Sequence, residues 1–72
     1  MHLRPIISTI KERRATLGIT QEQTAELAGI GLRTLKAIES GTSNPTVKTL
    51  SRIADVLGMN LVIALEVKKM NG

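Results

Sequence analysis

Arg33 and Lys36 lie three residues apart, in a short segment whose apolar residues Leu35 and Ile38 have the same spacing. If that segment is helical, the cations and the apolar residues fall on opposite faces. An outward guanidinium can donate two parallel hydrogen bonds to O6 and N7 of guanine, or can bind a phosphate. Lys36 can do either with a single ammonium. Leu32, Thr34 and Ala37 complete the outward face. Leu32 offers an apolar contact to a thymine methyl, and Thr34 offers a hydroxyl to a base or a phosphate oxygen. The chemistry these residues suit is recognition of duplex DNA, set against the plainer reading of a solvated helix face.

Bond-making chemistry finds little support. The chain has no cysteine and a single histidine, His2. The acids Glu12, Glu22, Glu26, Glu39, Asp55 and Glu66 stand singly, and neither a glycine-rich phosphate loop nor a metal-ligand spacing is present. No enzyme activity, metal or cofactor is expected. The absence of aromatic residues removes the stacking platforms that single-stranded nucleic acids use. Ten Lys and Arg against six Asp and Glu give a net charge of +4, which suits a polyanion. The absence of cysteine fits a reducing cytoplasm. No run reaches the ~18 apolar residues of a membrane span. Ile6 and Ile7 are soon followed by Lys11, Glu12, Arg13 and Arg14, unlike a secretory leader. The expected location is therefore cytoplasmic, away from membranes.

Glycine and Asn44-Pro45 punctuate the 72 residues into helix-length segments. The first is Pro5 to Leu17, with Ile6, Ile7, Ile10 and Leu17 roughly on one face and Gly18 at its end. The second opens on Thr20-Gln21-Glu22-Gln23, a capping box in which the threonine hydroxyl and the Gln23 side chain each serve the other's backbone N–H. It runs to about Ala28. Gly29-Ile30-Gly31 makes a tight turn, and the third segment runs from Leu32 to Ser40. The loop Thr42-Ser43-Asn44-Pro45 leads to a fourth, Thr46 to Leu57, with Thr46 as N-cap and Val47, Leu50, Ile53, Ala54 and Leu57 on its apolar face. Residues 60–67 then change period. Leu61, Ile63, Leu65 and Val67 alternate with Val62, Ala64 and Glu66, a pattern that predicts a strand.

Residues 19–41, ITQEQTAELAGIGLRTLKAIESG, closely resemble the helix-turn-helix of the lambda-repressor/Cro (XRE) family. The Thr20-Gln21 start, Ala25-Glu26, the turn Ala28-Gly29-Ile30, the ending Ile38-Glu39-Ser40-Gly41 and the loop Asn44-Pro45-Thr46 carry the likeness, which extends from about Ile10 to Leu61. The resemblance implies that the third helix enters the major groove. Leu32, Arg33, Thr34, Lys36 and Ala37 would then meet base edges. Gln21 would grip the phosphate backbone, joined by Gln23 and by a second clamp of Thr42, Ser43 and Asn44. It also implies that Arg14 pairs with Glu39 rather than with DNA. Two positions depart from the family: Thr24 replaces the usual core leucine, and Leu27 stands where a polar residue is common.

A lone strand leaves a row of unpaired backbone groups. The simplest partner is the same strand of a second copy, so Leu61, Val62, Ile63, Ala64, Leu65 and Val67 are the expected dimer strand. A strand in this place also resembles HipB-like antitoxins, which implies a possible kinase-type toxin as a further partner. The expected fold is mainly α: four to five short helices with a central helix-turn-helix, plus one C-terminal β-strand paired across a homodimer. Residues 1–58 form the DNA-binding domain, 59–67 the dimerisation strand and 68–72 a tail. The expected function is a sequence-specific repressor of its own operon, dimeric on palindromic double-stranded DNA. The rival is a helix-turn-helix interaction module that binds no DNA.

Overall fold

A computed structural model describes residues 3–67. His2 and the expected tail, 68–72, lie outside the described residues. Four helices follow one another: α1 (Arg4–Leu17), α2 (Gln21–Ala28), α3 (Leu32–Ser40) and α4 (Val47–Val56). Their starts follow local chemistry. Pro5 sits in the first turn of α1, where its missing N–H costs nothing. Thr20 caps α2 in a full capping box, its Oγ1 accepting from the Gln23 N–H at 3.0 Å while Gln23 Oε1 accepts from the Thr20 N–H at 2.9 Å. Thr46 caps α4 by accepting from the Thr49 N–H at 3.1 Å.

All four helices end in the same way. Gly18, Gly29, Gly41 and Gly58 adopt φ of 67°, 69°, 77° and 70°, the left-handed conformation that a side chain resists. In each case the glycine N–H and the next residue's N–H return to carbonyls of the last turn, the paired bonds of a Schellman motif. The residue after the glycine is apolar and packs on the core in three of them: Ile19, Ile30 and Met59. After α3 it is Thr42, which is exposed. The motif thus turns the chain back into the core three times and leaves it at the surface once, beyond α3.

α2 packs against both α3 and α4, and α1 packs against α3. The core is aliphatic, built from Ile10, Ala25, Ala28, Leu35, Ile38, Leu50, Ile53, Ala54 and Leu57. Alanines at 25 and 28 allow α2, only eight residues long, to sit close to two neighbours at once. Thr24 is fully buried, and its hydroxyl donates to the Thr20 carbonyl at 2.8 Å. A threonine is therefore tolerated where the family prefers leucine, because its polar atom is satisfied within the helix. Leu17 departs from the expected apolar face and is exposed. α1 stops at Gly18, and Ile19 is the residue that turns inward.

Among the described residues no strand forms. Residues 60–67 follow α4 without helix or strand. Leu61 packs on the core, while Val62, Ile63, Leu65 and Val67 are exposed. A single chain offers this segment no backbone ladder, and without one a strand does not form.

The burial pattern separates two leucines. Leu35→Ala is expected to lower stability by about 2–5 kcal/mol, as truncation of a fully buried leucine does. Leu27→Ala, at a residue 68% exposed, is expected to change it by less than about 0.5 kcal/mol. Urea melts of both variants beside the wild type measure the contrast.

Candidate nucleic-acid interface

α3 presents two unlike faces. Leu35 and Ile38 are buried against the core, while Arg33, Thr34 and Lys36 are exposed and Leu32 and Ala37 lie half-buried at the margin. Gly31 precedes the helix in an extended conformation and supplies no side-chain cap. The first N–H groups of α3 therefore face outward without a side-chain acceptor, at the positive end of the helix dipole.

Arg14 and Glu39 hold this helix from behind. Arg14 Nε donates to Glu39 Oε2 and Arg14 Nη2 to Glu39 Oε1, both at 2.9 Å, in a parallel two-bond pairing. Arg14 Nη1 donates to the Ile19 carbonyl at 3.0 Å. Gln21 Nε2 donates to Glu39 Oε1 at 3.1 Å. The Glu39 side chain is 4% exposed and that of Arg14 21%. One carboxylate near the end of α3 is thus bonded from α1 and from the first residue of α2, and the same guanidinium holds the turn between them. The hydrogen bond to Glu39 raises the Arg14 pKa above its ordinary value, with burial opposing. Arg14 therefore stays charged at every working pH.

The expected phosphate residues have distinct situations. Gln21 is half-buried and spends one amide N–H on Glu39, which makes it a brace for α3. Gln23 is exposed, and its carbonyl is occupied by the capping box. Thr42 and Ser40 hydroxyls lie 3.0 Å apart and within hydrogen-bond reach of the Ala37 carbonyl, at 3.3 Å and 3.0 Å, with one proton each to share among these contacts. These bonds tie the loop to the end of α3. Asn44 is exposed, and Ser43 Oγ is buried without a hydrogen-bond partner.

Arg13 is a contact that sequence reasoning missed. Its Nε donates to the Leu57 carbonyl at 2.9 Å, capping the end of α4 from α1. Nothing in the spacing of Arg13 marks it, since its acceptor is a main-chain oxygen 44 residues away. The two adjacent arginines are therefore internal brackets, one for α4 and one for α3. Among the described residues the cations that make no ion pair are Arg4, Lys11, Arg13, Arg33, Lys36, Lys48 and Arg52, and all of these except Arg13 are exposed.

Comparison with known proteins fits this geometry. A family model described as helix-turn-helix matches residues 10–63, so the chain belongs to that family. An HTH-type transcriptional regulator of Methanothermobacter thermautotrophicus is 43% identical over 49 residues, covering 68% of this chain and 71% of its own length. The regulator YqaF of Bacillus subtilis is 37% identical over 57 residues, with 79% and 75% covered. The regulator y4dJ of Sinorhizobium fredii is 35% identical over 63 residues, with 86% and 82% covered. Fold and family together define the class: a DNA-binding helix-turn-helix regulator. Among the described residues no helix is long and apolar enough to cross a membrane.

Removing either partner of the Arg14–Glu39 pair strands the other charge. Breaking a buried pair costs about 3–5 kcal/mol and an exposed one at most about 1. With Arg14 one-fifth exposed, Arg14→Ala and Glu39→Ala are each expected to lose about 2–4 kcal/mol. Because both remove one shared interaction, the double variant should lose much less than the two losses added together. Thermal or urea melts of the three variants give the cycle; full additivity would show the pair to be energetically idle.

Proposed function

We propose that this chain is a sequence-specific repressor that binds palindromic double-stranded DNA as a homodimer, with α3 in the major groove. What carries the reading is the unpaired cationic face of α3, with Arg33 and Lys36 exposed on a helix anchored by Leu35, Ile38 and Glu39. Anchoring matters because base readout requires a guanidinium held to within a fraction of an ångström. Arg33, in the first turn of α3, is the base reader, bidentate on guanine O6 and N7. Lys36 and Thr34 reach neighbouring bases or phosphates, and Leu32 and Ala37 line the apolar margin. The amide of Gln21, the free end of Gln23, and Thr42, Ser43 and Asn44 take the backbone on either side.

Selection from random duplexes tests this directly. The wild type should enrich a palindrome with half-sites about one DNA turn, ~34 Å, apart. Arg33→Ala should lose preference at one base pair per half-site, at a cost of about 1–3 kcal/mol. Enrichment of no duplex would overturn the reading in favour of a protein-interaction module.

The exposed apolar residues of 62–67 support the homodimer. Leu65 and Val67 are 95% and 99% exposed, a burden that antiparallel pairing with a second copy would relieve. Pairing would also satisfy the backbone groups of both segments. Residues 59–67 are then a dimerisation strand appended to a DNA-binding domain at 1–58. In the antitoxin form of this reading, the dimer also holds a kinase-type toxin. Sedimentation equilibrium should give twice the 7.8 kDa chain mass. The double variant Ile63→Lys, Leu65→Lys should sediment as the monomer. Its affinity for the palindrome should fall about 10²–10⁴-fold as the second half-site contact is lost. A double variant that stays dimeric would rule out the strand as the interface.

A further inference from the structure

Beside the recognition helix lies a groove of which the reading above uses one wall only, at Ser43 and Asn44. It is a cleft of about 470 Å³ between the N-terminal half of α1 and the segment that ends α3 and begins the loop. Arg4, Ser8 and Lys11 line one wall, and Ser40, Ser43 and Asn44 line the other. We propose that this groove seats the DNA sugar–phosphate backbone flanking each half-site, with Arg4 and Lys11 as its cationic wall. This inference rests on the DNA-binding reading and extends its footprint to α1.

Four observations support it. Arg4, Ser8 and Lys11 are spaced four and three apart, so one face of α1 carries all three toward the cleft. Arg4 and Lys11 are exposed and make no ion pair among the described residues, whereas Arg13 and Arg14 on the same helix are spent on internal bonds. The acid in the groove wall, Glu39, presents no free charge to an anion, because both its oxygens are taken by Arg14 and Gln21. Ser40, the last residue of α3, and Gly41, its C-cap, line the groove, so it opens at the end of the recognition helix. A phosphodiester suits this lining better than an acidic peptide. It takes charge and polar contacts together, and the walls supply both.

The test uses the full chain and the palindrome it selects. Anisotropy titrations over about 50–200 mM salt compare the wild type with Arg4→Gln, Lys11→Gln and the charge-keeping Lys11→Arg. Each neutral variant is expected to bind more weakly by a similar factor across all half-site sequences. Its log K against log salt slope should be shallower by about 0.9 for each protomer bound. Lys11→Arg should keep the wild-type slope. A neutral methylphosphonate placed at successive flanking positions should weaken the wild type at one position, and Lys11→Gln should no longer respond there. Wild-type slopes in both neutral variants, or slopes that fall while no flanking phosphate matters, would overturn the groove and leave DNA binding by α3 intact. A wild type that binds no duplex at any salt would overturn both. Thermal midpoints within about 2 °C of the wild type confirm that the variants fold, as expected for exposed residues without partners.

Discussion

The carboxylate of Glu39 is the point through which the arrangement of three helices is fixed. Its two oxygens receive the guanidinium of Arg14 and the amide of Gln21, and Arg14 also bonds the turn before α2. Hydrophobic packing alone specifies α3 weakly. Leu35, Ile38 and the two alanines of α2 fill space, but aliphatic contacts are non-directional and tolerate rotation of a nine-residue helix about its axis. A planar guanidinium held by two parallel bonds does not tolerate it. The polar bracket converts a packed helix into an aimed one. A rotation of α3 by a fraction of a turn would carry Arg33 and Lys36 off the common face that makes them useful.

The same helix supplies the second bracket. Arg13, next to Arg14, closes the end of α4 through the Leu57 carbonyl. α1 thus grips the last turns of both α3 and α4, while its own hydrophobic contribution to the fully buried core is Ile10 alone. In a chain without aromatic residues or disulfides, directed hydrogen bonds to helix ends supplement a core that is small and built from flexible aliphatics. The consequence for recognition is a redistribution of charge. The cluster Lys11-Glu12-Arg13-Arg14 looks like a basic stretch, but two of its three cations point inward to main-chain or carboxylate acceptors. The positive surface is instead spread over α1, α3 and α4.

The segment after α4 has the opposite character. Leu61 belongs to the core, but the apolar residues beyond it are open to solvent. Exposed β-branched and aliphatic residues in alternation are costly in water. They are also suited to pairing, since every second one would fall on a common face. A domain that buries a modest share of its own surface gains most from sharing such a segment with a second copy.

Much of this molecule is legible in its sequence because much of it is local. Helix starts at Thr20 and Thr46, stops at four glycines and the inward or outward sense of α3 are set by hydrogen bonds and periodicities spanning five residues or fewer, and those can be read along the chain. The helix-turn-helix itself is recognisable in residues 19–41 for the same reason. What lay beyond the sequence was every interaction that joins distant positions. Periodicity could not have paired Arg14 with Glu39, 25 residues on, and only a family resemblance suggested it. No local pattern connects Arg13 to Leu57, or shows that Thr24 is buried and satisfied while Leu27 is mostly exposed. Nor could the chain's charge distinguish cations that hold the fold from cations that face outward. That distinction depends on which acceptors the packed helices bring within 3 Å of each side chain, so tertiary structure alone decided it.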